Sequence, residues 1–263
     1  MKIEIQHRLS LGLGQSVPRA IQHLLLTPQT SSVQAVREWQ LEVEGLDDPA
    51  GFLDAYGNRA HLASQTKPEA ELIIAVSGVV ETHDRSGVVG RVAREPVAAI
   101  FRRVTPLTKP VGAVMQKFRS ASTDPRDRIP LLHAVMARVG EVLGGDGESQ
   151  SQDGQSQSQS QGGERDAADH AHAFIGAARA LDIPARYVTG YLAAEEGPRF
   201  HAWAEAWDDG LGWIGFDPVL QICPVESHVR VASALDAVSA APVRSVPAVG
   251  TPQMLEMRVE AGQ

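Results

Sequence analysis

Between His201 and Trp207 every second residue is alanine: Ala202, Ala204 and Ala206 alternate with His201, Trp203, Glu205 and Trp207. Successive side chains of a β-strand point to opposite faces, so this run carries one closely packed face of methyl groups and one of aromatic and functional groups. Asp208-Asp209-Gly210 follows, a sequence suited to a three-residue hairpin loop with Gly210 in the left-handed conformation. That loop pairs Trp207 with Leu211, Glu205 with Trp213, Trp203 with Gly215 and His201 with Asp217. Opposite residues have Cβ atoms about 4.5 to 5.5 Å apart, close enough for an imidazole and a carboxylate to hydrogen-bond; a slip of one residue would part them.

Helical periodicity precedes this strand. Ala167, Ala171, Phe174, Ile175, Ala178 and Leu181 make one apolar stripe, and the alanine-rich composition favours a helix packed closely against its neighbours. Asp166 and Asp169 stand at capping-box spacing, with Asp in place of Glu, which predicts a helix start there and puts Ala167 in the first turn. Ile183-Pro184 ends the helix, and Ala185 to Leu192 reads as the first strand of a sheet. Upstream, Ser149 to Gln161 is almost wholly Ser and Gln, has nothing to bury, and is expected to form a disordered surface loop.

The first hundred residues read as strands. Ile3, Ile5 and Leu9 alternate with polar neighbours, as do Trp39, Leu41 and Val43, although Val36 and Arg37 break the phase of the latter run. Glu71 to Val80 is rich in Ile and Val, and turn-like stretches such as Tyr56-Gly57-Asn58 separate these runs. After Thr105, Val111 to Phe118 and Ile129 to Leu143 show helical spacing. The expected division is an antiparallel β domain over 1–105, a helical connection over 106–148, the Ser/Gln-rich loop over 149–163 and an α+β core over 164–263.

A helix start, a strand bearing His and a neighbouring strand bearing Asp suit thiol catalysis. A cysteine in the first helical turn would have its pKa lowered by the helix dipole and an adjacent imidazolium. The His would pass the proton to a leaving amine, and the Asp would hold the ring in the right tautomer.

Three stretches carry a resemblance: Asp169-His170-Ala171-His172-Ala173-Phe174-Ile175 with the following Ala178 to Leu192, then His201-Ala202-Trp203-Ala204-Glu205, then Gly212-Trp213-Ile214-Gly215-Phe216-Asp217-Pro218. In this order they resemble the core of bacterial transglutaminase-like proteins, and the upstream β segment, with the Pro106-Leu107-Thr108 junction, resembles the N-terminal domain of a bacterial subgroup. The resemblance implies a papain-like core, a helix packed on an antiparallel sheet, with a Cys-His-Asp triad that performs acyl transfer or amide hydrolysis through a thioester. His201 and Asp217 match two members of the triad. The family's helix opens Gly-Val-Cys, a polar residue and Asp; this chain reads Arg165-Asp166-Ala167-Ala168-Asp169, so Ala167 stands at the nucleophile's position. The missing Gly-Val and the Ser/Gln tract just upstream point to natural loss of catalysis. The expectation is a catalytically inactive relative that keeps a peptide- or protein-binding groove.

Other readings compete. An amide hydrolase with a different nucleophile would have to use Cys223, the lone cysteine, which lies beyond the Asp217 strand and reads as structural. A metal-bound water would need ligands from Asp169, His170, His172 and His201, but His170 and His172 cannot point the same way from a helix, so neither metal nor cofactor is expected. A scaffolding role through the Ser/Gln tract or the N-terminal domain is the third. Arg186, Tyr187 and Tyr191 read as sheet packing; Trp203, Trp207 and Trp213 suit a groove or a core equally. A formal net charge of -8 argues against nucleic acid, which demands a basic face. No apolar run approaches a membrane span, and Met1 to Leu11 alternates instead of forming a signal-peptide core, so a cytoplasmic location without membrane attachment is expected.

Overall fold

The computed structural model describes residues 1–13, 17–46, 49–119, 124–144, 157–193, 199–248 and 252–262, with backbone alone at 125 and 157–165. Lys2–Gly12 (β1) alternates as predicted, burying Ile3, Ile5, His7 and Leu9 while Lys2, Glu4, Gln6 and Arg8 face out. Arg19–Leu24 (β2), Gln34–Val43 (β3), Ala50–Leu53 (β4), Arg59–Thr66 (β5) and Glu71–Thr82 (β6) follow. The broken phase at Val36-Arg37 is a β-bulge, for the pairing of β3 with β6 shifts register between Val36 and Glu38. Beyond Val88–Gly90 (β7) come the helices Gly112–Met115 (α1), Arg128–Leu143 (α2) and Gln157–Ala180 (α3). Ala185–Leu192 (β8), Arg199–Asp208 (β9), Gly212–Phe216 (β10), His228–Ala234 (β11), Val243–Val246 (β12) and Gln253–Gly262 (β13) complete an α+β architecture.

The strands form three antiparallel sheets, ordered β13-β1-β6-β3, β12-β2-β5-β4 and β11-β8-β9-β10-β7. The linear division expected from sequence does not follow them. β13 returns to pair with β1 along Lys2↔Gly262 to Ser10↔Gln253, and β12 pairs with β2. In exchange β7 joins the core sheet by pairing with β10. The physical reason is edge pairing: without β13 the long, half-apolar β1 would present an open row of backbone donors and acceptors.

Helix α3 also departs from expectation. It begins at Gln157, so 157–161 of the Ser/Gln tract is helical backbone and Ala167 sits in the helix interior, not its first turn. The packed half downstream supplies the nucleus, and extending a formed helix through Gln and Ser adds one hydrogen bond per residue fixed. The rest of the tract, 149–156, lies outside the described residues.

Phe174, Ile175, Ala177 and Ala178 of α3 are buried in one core with Ala202, Ala204 and Ala206, so the helix lies on the alanine face of β9. The approach is tight elsewhere too: a Cβ on Gly176 would stand 2.9 Å from Thr108 O. Arg179, 5% exposed, fixes the end of the helix by donating to the carbonyl oxygens of Phe101, Ala185 and Leu235 and to Thr108 Oγ1. A second core joins β1, β2, β5 and β6 to Tyr191, Val229 and Val231 of the core sheet, so N-terminal strands and core are packed as one body. Among the described residues no helix is long and apolar enough to cross a membrane.

Candidate functional site

The β9–β10 hairpin sets the site. Its pairs are Gly212↔Asp208, Trp213↔Trp207, Ile214↔Ala206, Gly215↔Glu205 and Phe216↔Ala204, two residues out of the predicted register. The loop is therefore Asp209-Gly210-Leu211, and the residue with positive φ is Gly212 (+82°), not Gly210. Asp208 causes the shift: its Oδ1 accepts from the backbone N–H of Gly210 and of Leu211, which caps the turn one position later than the sequence suggested. An even slip preserves faces, so His201 and Asp217 remain on the same side of the sheet. His201 Nε2 lies 2.6 Å from Asp217 Oδ2, with His201 3% and Asp217 0% exposed.

Asp217 stands just past β10, where its N–H donates to Ile222 O in an isolated bridge. Its Oδ1 accepts from the N–H groups of Val219 and Leu220, each at 3.1 Å. The turn of residues 218–221 then brings the chain back to His228, whose Nε2 is 3.2 Å from Asp217 Oδ2. Burial opposes ionisation of Asp217, but the hydrogen bonds from His201 and His228 outweigh it and hold the carboxyl below its ordinary range. His228 was not singled out from the sequence. No local motif links it to Asp217, eleven positions upstream; only a histidine opening the apolar run Val229, Val231 was there to be noticed.

Trp203 lies beside both imidazoles, with ring centroids 6.2 Å from His201 and 5.4 Å from His228. It packs across Gly190, where a Cβ would come within 2.7 Å of the indole and 2.0 Å of Val229 O, so only glycine fits. Next on this face Glu205, fully buried, lies between Arg186 (2.6 Å) and Arg230 (2.8 Å), and Glu95 caps Arg186 at 2.7 Å. Arg186 also stacks over Trp213 at 3.9 Å. Trp203 and Trp213 are thus core residues, while Trp207 is half-buried under Arg91.

Ala167, 1% exposed, belongs to the core that holds Ala202 and Ala204, whereas His201 alternates to the opposite strand face with Trp203 and Glu205. Tyr187 stacks on His172 at 4.9 Å, and Tyr191 hydrogen-bonds His7 across the junction with the N-terminal strands. His172 accepts from Ala237 N–H, and His170 turns back to Asp166, so the ligand set Asp169, His170, His172 and His201 is not assembled. Among the described residues the group with metal-ligand spacing is His201, Asp217 and His228, whose donor atoms lie within 4.8 Å of one another. His228 fits a metal poorly. A ligating Nε2 requires the ring proton on Nδ1, and Nδ1 faces the Val225 N–H, itself a donor, at 3.3 Å. Cys223 is half-buried beside the helix core, burial pushes its thiol above the ordinary range, and it hydrogen-bonds neither histidine. A recess of about 970 Å³ is lined by N-terminal residues including Arg8, Trp39 and Arg59; the cavity beside Trp203 and His228 holds about 20 Å³, room for one water.

A helix packed on an antiparallel sheet gives this chain a mixed α+β fold of the kind that cysteine proteases and transglutaminase-like domains share. Residues 113–218 match the transglutaminase-like superfamily and residues 3–81 match the bacterial transglutaminase-like N-terminal region. An uncharacterised protein of Mycobacterium leprae is 25% identical over 241 residues, 84% of each chain. A protein-glutamine gamma-glutamyltransferase of Pseudomonas aeruginosa is 33% identical over 106 residues, 35% of this chain but 16% of that enzyme. A crystallised Cytophaga hutchinsonii protein described as a candidate cysteine protease shares the fold, with TM-score 0.61 at 22% identity over 99% of this chain and 89% of that one.

Proposed function

We propose that the protein is a catalytically inactive member of the transglutaminase-like family that binds peptide or protein segments, in the cytoplasm, without turning them over. The observation that carries the reading is a His201–Asp217 pair kept at 2.6 Å in a chain whose thiol-bearing position in the family pattern is Ala167. Two groups of a triad can orient and polarise, but acyl transfer through a thioester needs a thiolate. Cys223 is poorly suited to supply one, because burial pushes its thiol pKa above the ordinary range and no hydrogen bond joins it to an imidazole. A nucleophile-less triad retains an acceleration of about 10³ to 10⁴ over water, too little for a working acyltransferase.

The test uses a glutamine-containing peptide with a labelled primary amine, since the matched Pseudomonas aeruginosa relative is named for that chemistry. The unaltered chain should bind the peptide and give neither amine incorporation nor ammonia release. Turnover by the unaltered chain that disappears in His201→Ala would overturn the proposal.

A further inference from the structure

Asp217 Oδ2 serves two imidazoles, and the second one is locked. His228 is 6% exposed at the start of β11, and its Nδ1 faces one obligate donor, the backbone N–H of Val225 at 3.3 Å, and the Ser227 hydroxyl, which can donate or accept, at 3.3 Å. A backbone amide can only donate, so Nδ1 must offer its lone pair and the ring proton resides on Nε2. That proton points at Asp217 Oδ2, 3.2 Å away. The other carboxylate oxygen is held by the Val219 and Leu220 amides. Both ends of the carboxylate are therefore fixed by donors that do not depend on His201. The remaining acceptor direction on Oδ2 selects the Nε2–H form of His201 and leaves His201 Nδ1 bare.

We propose that His228 is a positioning residue of this site: by donating Nε2–H to Asp217 it holds His201 in the tautomer whose Nδ1 lone pair is free to accept a proton or a ligand's hydrogen bond. The role rests on reading His201 and Asp217 as the family's site, but it does not require a nucleophile at position 167. Trp203, packed against both rings, supports the arrangement from the side.

Imidazole ¹⁵N NMR on the full chain tests this directly. In the unaltered protein at neutral pH both His201 and His228 should show a protonated Nε2 and a bare Nδ1. His228→Leu should mix the tautomers of His201, and His228→Gln, whose side-chain NH₂ reaches the place of Nε2, should restore the single form. A His228 ring found with its proton on Nδ1, or doubly protonated, overturns the proposal without any variant, so a misfolded His228→Leu cannot shelter it. An unchanged His201 signature in a folded His228→Leu overturns it as well. Amine incorporation by the unaltered chain that disappears in His201→Ala, with the tautomers as expected, would sink the proposed function and leave the positioning role standing.

Discussion

His201 meets Asp217 along the diagonal of the β9–β10 ladder, not straight across it. The paired residues end at Phe216↔Ala204, so continuing the ladder would set Trp203, not His201, opposite Asp217. The two polar side chains still close to 2.6 Å because the slip is even, and diagonal neighbours on one face lie within reach of an imidazole. The pair is therefore as sensitive to the turn as to its own chemistry.

Gly212 should be the most intolerant residue of that turn. Its φ is +82°, and a Cβ would stand 2.5 Å from the backbone of Gly90 in β7. Strain and steric overlap add, so Gly212→Ala should lower stability by about 1–3 kcal/mol. Urea denaturation measures it. Gly210→Ala, at a position without positive φ, should lie within about 0.5 kcal/mol of the unaltered chain, and equal effects at both positions would refute the observed register.

Asp217 should make stability depend on acid. Its folded pKa is depressed by His201 and His228 against the opposing effect of burial. A depressed carboxyl contributes its full stability above the unfolded pKa, about 3.9, and loses it as pH falls from there through the folded value. Asp217→Asn removes this component, so it should cost about 2–4 kcal/mol at pH 7 and progressively less below about pH 4. Denaturant midpoints across that range decide it; a penalty independent of pH would contradict the assignment.

What was legible in the sequence was what depends on period and order. The alternation of β1, the alanine face of β9, the helix bearing Phe174 and Ile175, and the facing of His201 and Asp217 all follow from side-chain spacing. Even the disrupted phase at Val36-Arg37 was a real signal, marking the bulge in β3. The exact register was not legible because Asp208 and Gly210 support two turns that differ only in which residue caps. The return of β12 and β13 to the N-terminal sheets is a long-range pairing with no local signature. His228 was hidden for the same reason, since the turn that delivers it to Asp217 is set by Asp217 itself.

Glu205 should be indispensable as a charge and replaceable as part of a set. It is buried between Arg186 and Arg230, whose attraction overcomes the opposing effect of desolvation and keeps it ionised. Glu205→Gln strands two buried guanidinium groups with Glu95 as their remaining carboxylate, and should cost about 3–5 kcal/mol. Glu205→Leu combined with Arg230→Met leaves Arg186 and Glu95 balanced at 2.7 Å. The double variant should recover most of that loss in equilibrium unfolding, and a fully additive result would show that the four charges act separately.

Gln34 and Asn58 should prove to be the joint between the N-terminal strands and the core. Gln34 Nε2 donates to Arg230 O at 2.7 Å while its Oε1 accepts from Arg230 N–H at 2.8 Å. Asn58 repeats the arrangement on Ser233, with both contacts at 2.8 Å. β11 is an outer strand, paired by β8 on one side only, so these two amides stand in for the missing neighbour. Replacing either with Ala leaves a buried N–H and a buried C=O unpaired, and should cost about 1–3 kcal/mol. Hydrogen exchange gives the sharper readout. The Arg230 amide should lose protection in Gln34→Ala while Ser233 keeps it, and the reverse should hold in Asn58→Ala. A chain starting at residue 98 loses both amides, Glu95 and β7 together, and should fail to unfold cooperatively; a sharp, reversible transition in that fragment would show that the core stands without the strands that close it.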